Sequence, residues 1–94
     1  MPHTPVPEPA PGHFNVLYFA TASTFTGKDH EMLPASLRLG DLFSQLEETY
    51  PGFARILDSC LVTRNLDYVD PGEQADVMIQ DRDEIAILPP VSSG

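Results

Sequence analysis

The chain has 94 residues, 14 acidic against 5 basic, and a formal net charge of −9. That length suits one small domain around a single core, and that charge repels nucleic acid and anionic membrane while suiting a basic protein partner. Cys60 is the only cysteine, which excludes an internal disulfide framework and suits a reducing compartment.

From the N-terminus, prolines at positions 2, 5, 7, 9 and 11 give residues 1–12 the composition of an extended or disordered leader that packs with nothing. It carries neither a hydrophobic signal core nor an Arg-rich transit pattern, and no apolar run approaches the roughly 18 residues of a membrane span, so the cytosol is the expected location. Phe14 to Ala20, rich in aromatic and β-branched residues, reads as a first, mostly buried strand. Thr21 to Gly27 is a short helical turn closed by a glycine. Glu31 to Ala35 reads as a second strand, and Pro34, which cannot donate to a ladder, places it at a sheet edge.

The clearest element comes next. Leu39, Leu42, Phe43, Leu46 and Tyr50 repeat at helical spacing while Ser44, Glu47 and Glu48 face away, which predicts an amphipathic helix from about Asp41 to Tyr50. Asp41 suits its positive end, and Pro51-Gly52 stops it. Phe53, Ile56 and Leu57 add a helical turn. Cys60 to Arg64 reads as a strand, Asn65 as a turn, and Asp67 to Val69 as a short return arm. Val77-Met78-Ile79 is a brief apolar piece, Gln80 to Asp83 turns the chain, and Glu84 to Leu88 is the last strand. The order β-β-α-β-β-β predicts an α+β domain over residues 13–90, a β-grasp (ubiquitin-like) mixed sheet with one main helix packed across it. In that layout the last strand lies centrally, parallel to the first.

After Leu88 come Pro89-Pro90, which stop sheet pairing and hold the backbone extended, and then Val91-Ser92-Ser93-Gly94, which has little side chain. Pro89 to Gly94 spans roughly 20 Å when extended, enough to enter another protein's cleft. By composition alone the same residues are equally an ordinary frayed end or an appended remnant. Leu88 and Ile87 point to opposite faces, so one of them faces the core and the other a partner, with Phe14 or Tyr18 as companions on an apolar sheet face.

Several other residues invite chemistry without forming a pattern. Cys60 begins an apolar strand with no neighbouring cation in sequence, which suits a buried structural thiol. His3, His13 and His30 lack metal-ligand spacing, no Ser-His-Asp set sits in a nucleophile motif, and no glycine loop cradles phosphate. Asp81, Asp83 and Glu84 read either as a solvated turn or as contacts for a basic partner.

Val16-Leu17-Tyr18-Phe19-Ala20, Gly27, Leu33-Pro34, the helix ending in Tyr50-Pro51, and the run from Asp83-Glu84-Ile85-Ala86-Ile87-Leu88 to Pro89-Pro90-Val91-Ser92 together resemble the small, sulfur-carrier subunits of molybdopterin synthase. The resemblance covers residues 14–94 and is most specific at the end. It departs from the family's pattern twice: the chain ends Ser93-Gly94 where the family ends Gly-Gly, and Arg82-Asp83-Glu84 stands where it has Gly-Asp-Glu. The resemblance implies that the Gly94 carboxylate is adenylated at the expense of ATP by a ubiquitin-activating-type adenylyltransferase and sulfurtransferase, then converted to a thiocarboxylate. It further implies that residues Pro89, Pro90, Val91, Ser92 and Ser93 carry Gly94 into a large synthase subunit, in a heterotetramer of two small and two large chains, where sulfur passes to cyclic pyranopterin monophosphate. No permanently bound cofactor or metal is implied. Two other readings share parts of this pattern: a ubiquitin-like sulfur carrier or modifier for tRNA thiolation or thiamine assembly, and a β-grasp binding module whose tail has no chemistry.

Overall fold

The computed structural model describes residues 6–90. Its first strand, β1, covers His13–Tyr18 and alternates Phe14, Val16 and Tyr18 into the core, each at most 2% exposed. A short helix, α1 (Thr21–Thr26), follows and ends where Gly27 takes φ 74° and its N–H closes on the Ser23 carbonyl at 2.9 Å. This is the left-handed cap that glycine adopts without a Cβ clash. β2 (His30–Pro34) returns antiparallel to β1 and lies at the sheet edge, with Pro34 opposite His13, as the proline requires.

The main helix, α2 (Leu39–Thr49), buries Leu39, Leu42 and Leu46 on one stripe. It begins two residues before the acidic residue expected to open it, and Asp41 sits in its first turn, at the positive end of the helix. α3 (Phe53–Leu57) is a separate short helix that sinks Phe53 into the core. Tyr18, Tyr50 and Phe25 surround the Phe53 ring at 5.8–6.1 Å between centroids, Tyr18 and Tyr50 edge-on and Phe25 stacked. Such aromatic contacts add about 0.5–1.5 kcal/mol per pair beyond burial.

β4 (Leu61–Arg64) and β5 (Asp67–Tyr68) form a hairpin, and β7 (Glu84–Leu88) enters between β1 and β4. The five-stranded order is β2-β1-β7-β4-β5, with β7 parallel to β1 and antiparallel to β4. The expected α+β, β-grasp layout is present: a mixed sheet, its last strand central, and a helix across one face.

Two features differ from the sequence reading. Leu37–Arg38 (β3) and Met78–Ile79 (β6) pair as a second, two-stranded sheet, so the apolar piece at 77–79 does not join the main sheet. Two-residue strands are too short to show an alternating pattern. The leader also differs over its described part. Gly12 at φ 79° turns the chain after Pro11, the His13 N–H bonds to the Ala10 carbonyl at 3.0 Å, and the Asn15 side chain reaches the Pro7 carbonyl at 2.7 Å. Residues 6–12 therefore lie against the domain that composition alone had them avoid.

Candidate functional site at the end of the last strand

β7 is the element that the predicted reactive tail follows in sequence, and its environment sets the base of that tail. Ile85 and Ile87 are fully buried on the helix side, while Ala86 and Leu88 lie on the opposite, outer face. Of the pair Ile87 and Leu88, Ile87 points inward and Leu88 outward. The Phe19 N–H bonds to the Ile87 carbonyl at 3.3 Å, and Leu88 lies opposite Leu61 of β4, so both neighbours hold the strand to its last residue. Pairing then stops, as two successive residues without an N–H dictate. Pro89 is buried and Pro90 is exposed, so the first proline belongs to the body of the domain and the second to its surface. Val91, Ser92, Ser93 and Gly94 lie outside the described residues.

The outer face beside this exit is apolar. Leu61 is 55% exposed, Leu88 and Leu17 are half-buried, and Tyr68 and Met32 are exposed on the same side by strand register. Phe14 and Tyr18, named as companions from the sequence, are at most 2% exposed and face the helices. They belong to the core because their alternation places them with Val16; the outward residue between them is Leu17.

The scaffold beneath the exit is tied by a polar knot that the sequence did not reveal. Glu31 Oε1 accepts hydrogen bonds from the Tyr18 hydroxyl at 2.8 Å and the Tyr50 hydroxyl at 3.0 Å, and Lys28 Nζ lies 3.3 Å from Glu31 Oε2 and 5.8 Å from the centre of the Tyr50 ring. Burial, reinforced by the Glu31 carboxylate, pushes the Tyr18 phenol far above its ordinary range, so it remains a neutral donor. The available signal was a tyrosine at a core-facing strand position, whose hydroxyl needs a partner; nothing in the sequence said that Glu31 would supply it.

A second knot fixes the start of β7. Asp83, only 7% exposed, accepts from Arg64 Nε at 2.8 Å, from Asn65 Nδ2 at 3.0 Å and from the Gln80 N–H at 2.7 Å. Burial alone would raise its carboxyl, but these donors outweigh that and hold it below the usual carboxylate range. Asp81 accepts from the Gly12 N–H. Asp83 is thus neither solvated nor presented to a partner, and Asp81 caps the turn at Gly12. Cys60 sits just before β4 instead of within it; it is half-buried, with its thiol against the Ile56 carbonyl at 2.9 Å, and burial pushes it up from its ordinary range. That is the opposite of an activated thiolate.

The profile of the ThiS family matches residues 16–94. The chain belongs to the ThiS family. Within it, the chain is 59% identical over 85 residues to the molybdopterin synthase sulfur carrier subunit of Pyrenophora tritici-repentis, covering 88% of this chain and 91% of that one. Among solved structures it superposes on a putative molybdopterin converting factor subunit 1 from Pyrococcus furiosus with a TM-score of 0.69 at 26% identity, over 84% of this chain and 98% of that one. It shares its fold with a chain in the complex of subunits 1 and 2 of the molybdopterin-converting factor from Helicobacter pylori 26695, with a TM-score of 0.64 at 24% identity over 87% and 99% of the two chains. The ThiS-family match runs through the tail to Gly94 and leaves out the proline-rich leader.

Proposed function

We propose that this chain is the sulfur-carrying small subunit of a molybdopterin synthase and acts in the cytosol. The observation that carries the reading is the placement of β7. A central strand held on both sides ends at a buried proline and an exposed one, so the four residues that follow in sequence are joined to a rigid base. Likeness to a sulfur carrier subunit over 88% of the chain supports a carrier's chemistry for that end.

In this reading Gly94 is the reacting residue. A C-terminal carboxylate, with an ordinary pKa of about 3.5, is ionised and unreactive toward nucleophiles at neutral pH. An activating adenylyltransferase joins it to the AMP moiety of ATP with release of pyrophosphate; a sulfur nucleophile then displaces AMP and leaves a thiocarboxylate. Glycine presents no side chain to a narrow channel, and extended backbone on either side of it offers strand-like hydrogen bonds. Pro90 limits the conformational freedom lost when the tail is inserted. In this reading the domain is a cosubstrate that brings the sulfur to its partner's site.

The occupant of the outer face is the large synthase subunit. Leu61, Leu88, Leu17 and Tyr68 adjoin the strand end, so a partner that receives the tail reaches this face at once, and the subunit complex of the Helicobacter pylori relative supports a partner of that kind. A formal charge of −9 suits a basic partner surface.

The assay is conversion of cyclic pyranopterin monophosphate by a large subunit supplied with the thiocarboxylated chain. Deleting Gly94 is expected to abolish dithiolene formation while leaving the unfolding midpoint unchanged, and Ser93→Gly is expected to leave conversion equal or faster. Conversion that survives loss of Gly94 contradicts the mechanism.

A further inference from the structure

Among the described residues, four that are not glycine have a positive φ, and three of them meet at the end of the sheet where β1 and β7 begin: Asn65 at 52°, Leu66 at 74° and Arg82 at 67°. The turn that holds Asn65 and Leu66 adjoins the one that holds Arg82. The Asn65 N–H bonds to the Glu84 carbonyl at 2.8 Å, the Asn65 side-chain carbonyl accepts the Glu84 N–H at 2.9 Å, and the Arg82 N–H bonds to the His13 carbonyl at 2.7 Å. Left-handed backbone costs a residue with a Cβ stability that glycine keeps.

Asn65 has a reason inside the domain, since its amide ties Asp83 and the Glu84 N–H. Leu66 and Arg82 have none of that kind. Leu66 is 82% exposed. Arg82 is exposed too, and the bond it gives His13 comes from its main chain, so glycine would make it with less strain. Lys28, Arg38 and Arg64 pair with Glu31, Asp76 and Asp83, whereas the Arg82 guanidinium enters no ion pair among the described residues. Arg82 also stands where the sulfur carriers that the chain resembles have glycine. Strain kept at exposed positions, with side chains that do nothing for the fold, points to a use outside the domain.

We propose that Leu66 and Arg82 form an orienting contact for the large synthase subunit, meeting a carboxylate beside an apolar recess on that partner. The inference rests on the docking face assigned above. Leu66 lies two residues from Tyr68, on the hairpin that also carries Leu61, so this end of the sheet continues the apolar face. Pro90 lies at the opposite end, because β7 spans five residues, roughly 13 Å at about 3.3 Å per step. A domain held only near its tail is free to pivot there; a second contact at the far end fixes its orientation. Arg82 suits that task. A guanidinium set next to Asp81, Asp83 and Glu84 is a cation on an acidic surface, and its match to a carboxylate selects one register.

The test measures the affinity of the large synthase subunit for the full chain and for its Arg82→Gly, Arg82→Lys and Leu66→Gly variants, with the thermal midpoint of each. Glycine relaxes the backbone at either position, so both glycine variants are expected to melt at or above the full chain while binding about fivefold or more weakly. Arg82→Lys keeps the charge and is expected to bind within about twofold of the full chain at low salt, and the deficit of Arg82→Gly narrows at high salt. Stability and binding thus move in opposite directions, which a merely structural role does not produce. Affinities of the two glycine variants equal to that of the full chain overturn the orienting contact and leave the docking face intact. Absence of binding by the full chain overturns the docking assignment itself, and this contact with it.

Discussion

Two single residues show how local physical chemistry decides what holds the base of the tail. Asp83 sits under the first residue of β7 with three donors on its carboxylate, one of them from Arg64. Its carboxyl is depressed in the folded chain relative to the unfolded one, so the unfolded state binds more protons as the solution is acidified. The stability it contributes is fully present above its unfolded pKa of about 4 and is lost as pH falls through the lower folded value. Asp83→Asn is expected to cost about 1–3 kcal/mol at neutral pH and to flatten the acid side of the stability profile, read by urea unfolding at several pH values. An unchanged acid slope would contradict the assignment. Leu66 is the opposite case. The two-residue turn between β4 and β5 places Asn65 at φ 52° and Leu66 at φ 74°, and leucine there is 82% exposed with nothing evident to offset the strain. Asparagine tolerates this region and glycine prefers it, whereas a branched side chain does not. Leu66→Gly is expected to stabilise the domain by about 1 kcal/mol with an unchanged denaturant slope.

Among the elements, β7 matters most, because it is both the centre of the sheet and the mount of the tail. Its sequence made this readable: Ile85 and Ile87 alternate inward, and Pro89 ends the ladder where the spacing said it would. α2 was equally legible from its 3.6-residue stripe, and β2 from the proline that confines it to an edge. The elements that escaped were those whose existence depends on distant partners. β3 and β6 are two residues each and exist only because Leu37 meets Ile79. Glu31 and Asp83 carry no local sign that they will gather hydroxyls and amides from three separate segments, since those contacts span up to 19 positions. Phe14 and Tyr18 are aromatic, which suggests a partner-facing role from the sequence; strand parity turns both into the core and gives the outer face to Leu17 instead, and Phe14 lies at the end of the sheet away from Pro90. An element-level prediction follows from that parity. Leu61→Asp, at an exposed position opposite Leu88, is expected to weaken binding of the large subunit at least about tenfold with little change in thermal midpoint, since a charge placed at an apolar contact must be desolvated without a partner. Unaltered affinity would move the docking surface elsewhere.

At the scale of the whole molecule, the domain divides its labour by face and by end. The helices and aromatic cluster cover one side of the sheet and give rigidity; the other side is an apolar surface that residues 6–12 meet at Asn15; Pro90 lies at one end of the sheet and Asp83 anchors the other. Its excess of acidic groups suits recognition by basic partners, and the proposed mechanism puts the reacting atom on a terminus that an activating enzyme hands to a synthase. The central claim is therefore about one atom at Gly94. Intact-mass analysis of the chain after incubation with a ubiquitin-activating-type enzyme, ATP and a sulfur donor tests it most directly. Replacement of one oxygen by one sulfur, mapped to Gly94 and absent when that residue is deleted, is the predicted result; an unmodified mass under conditions that thiocarboxylate a homologous sulfur carrier would contradict it.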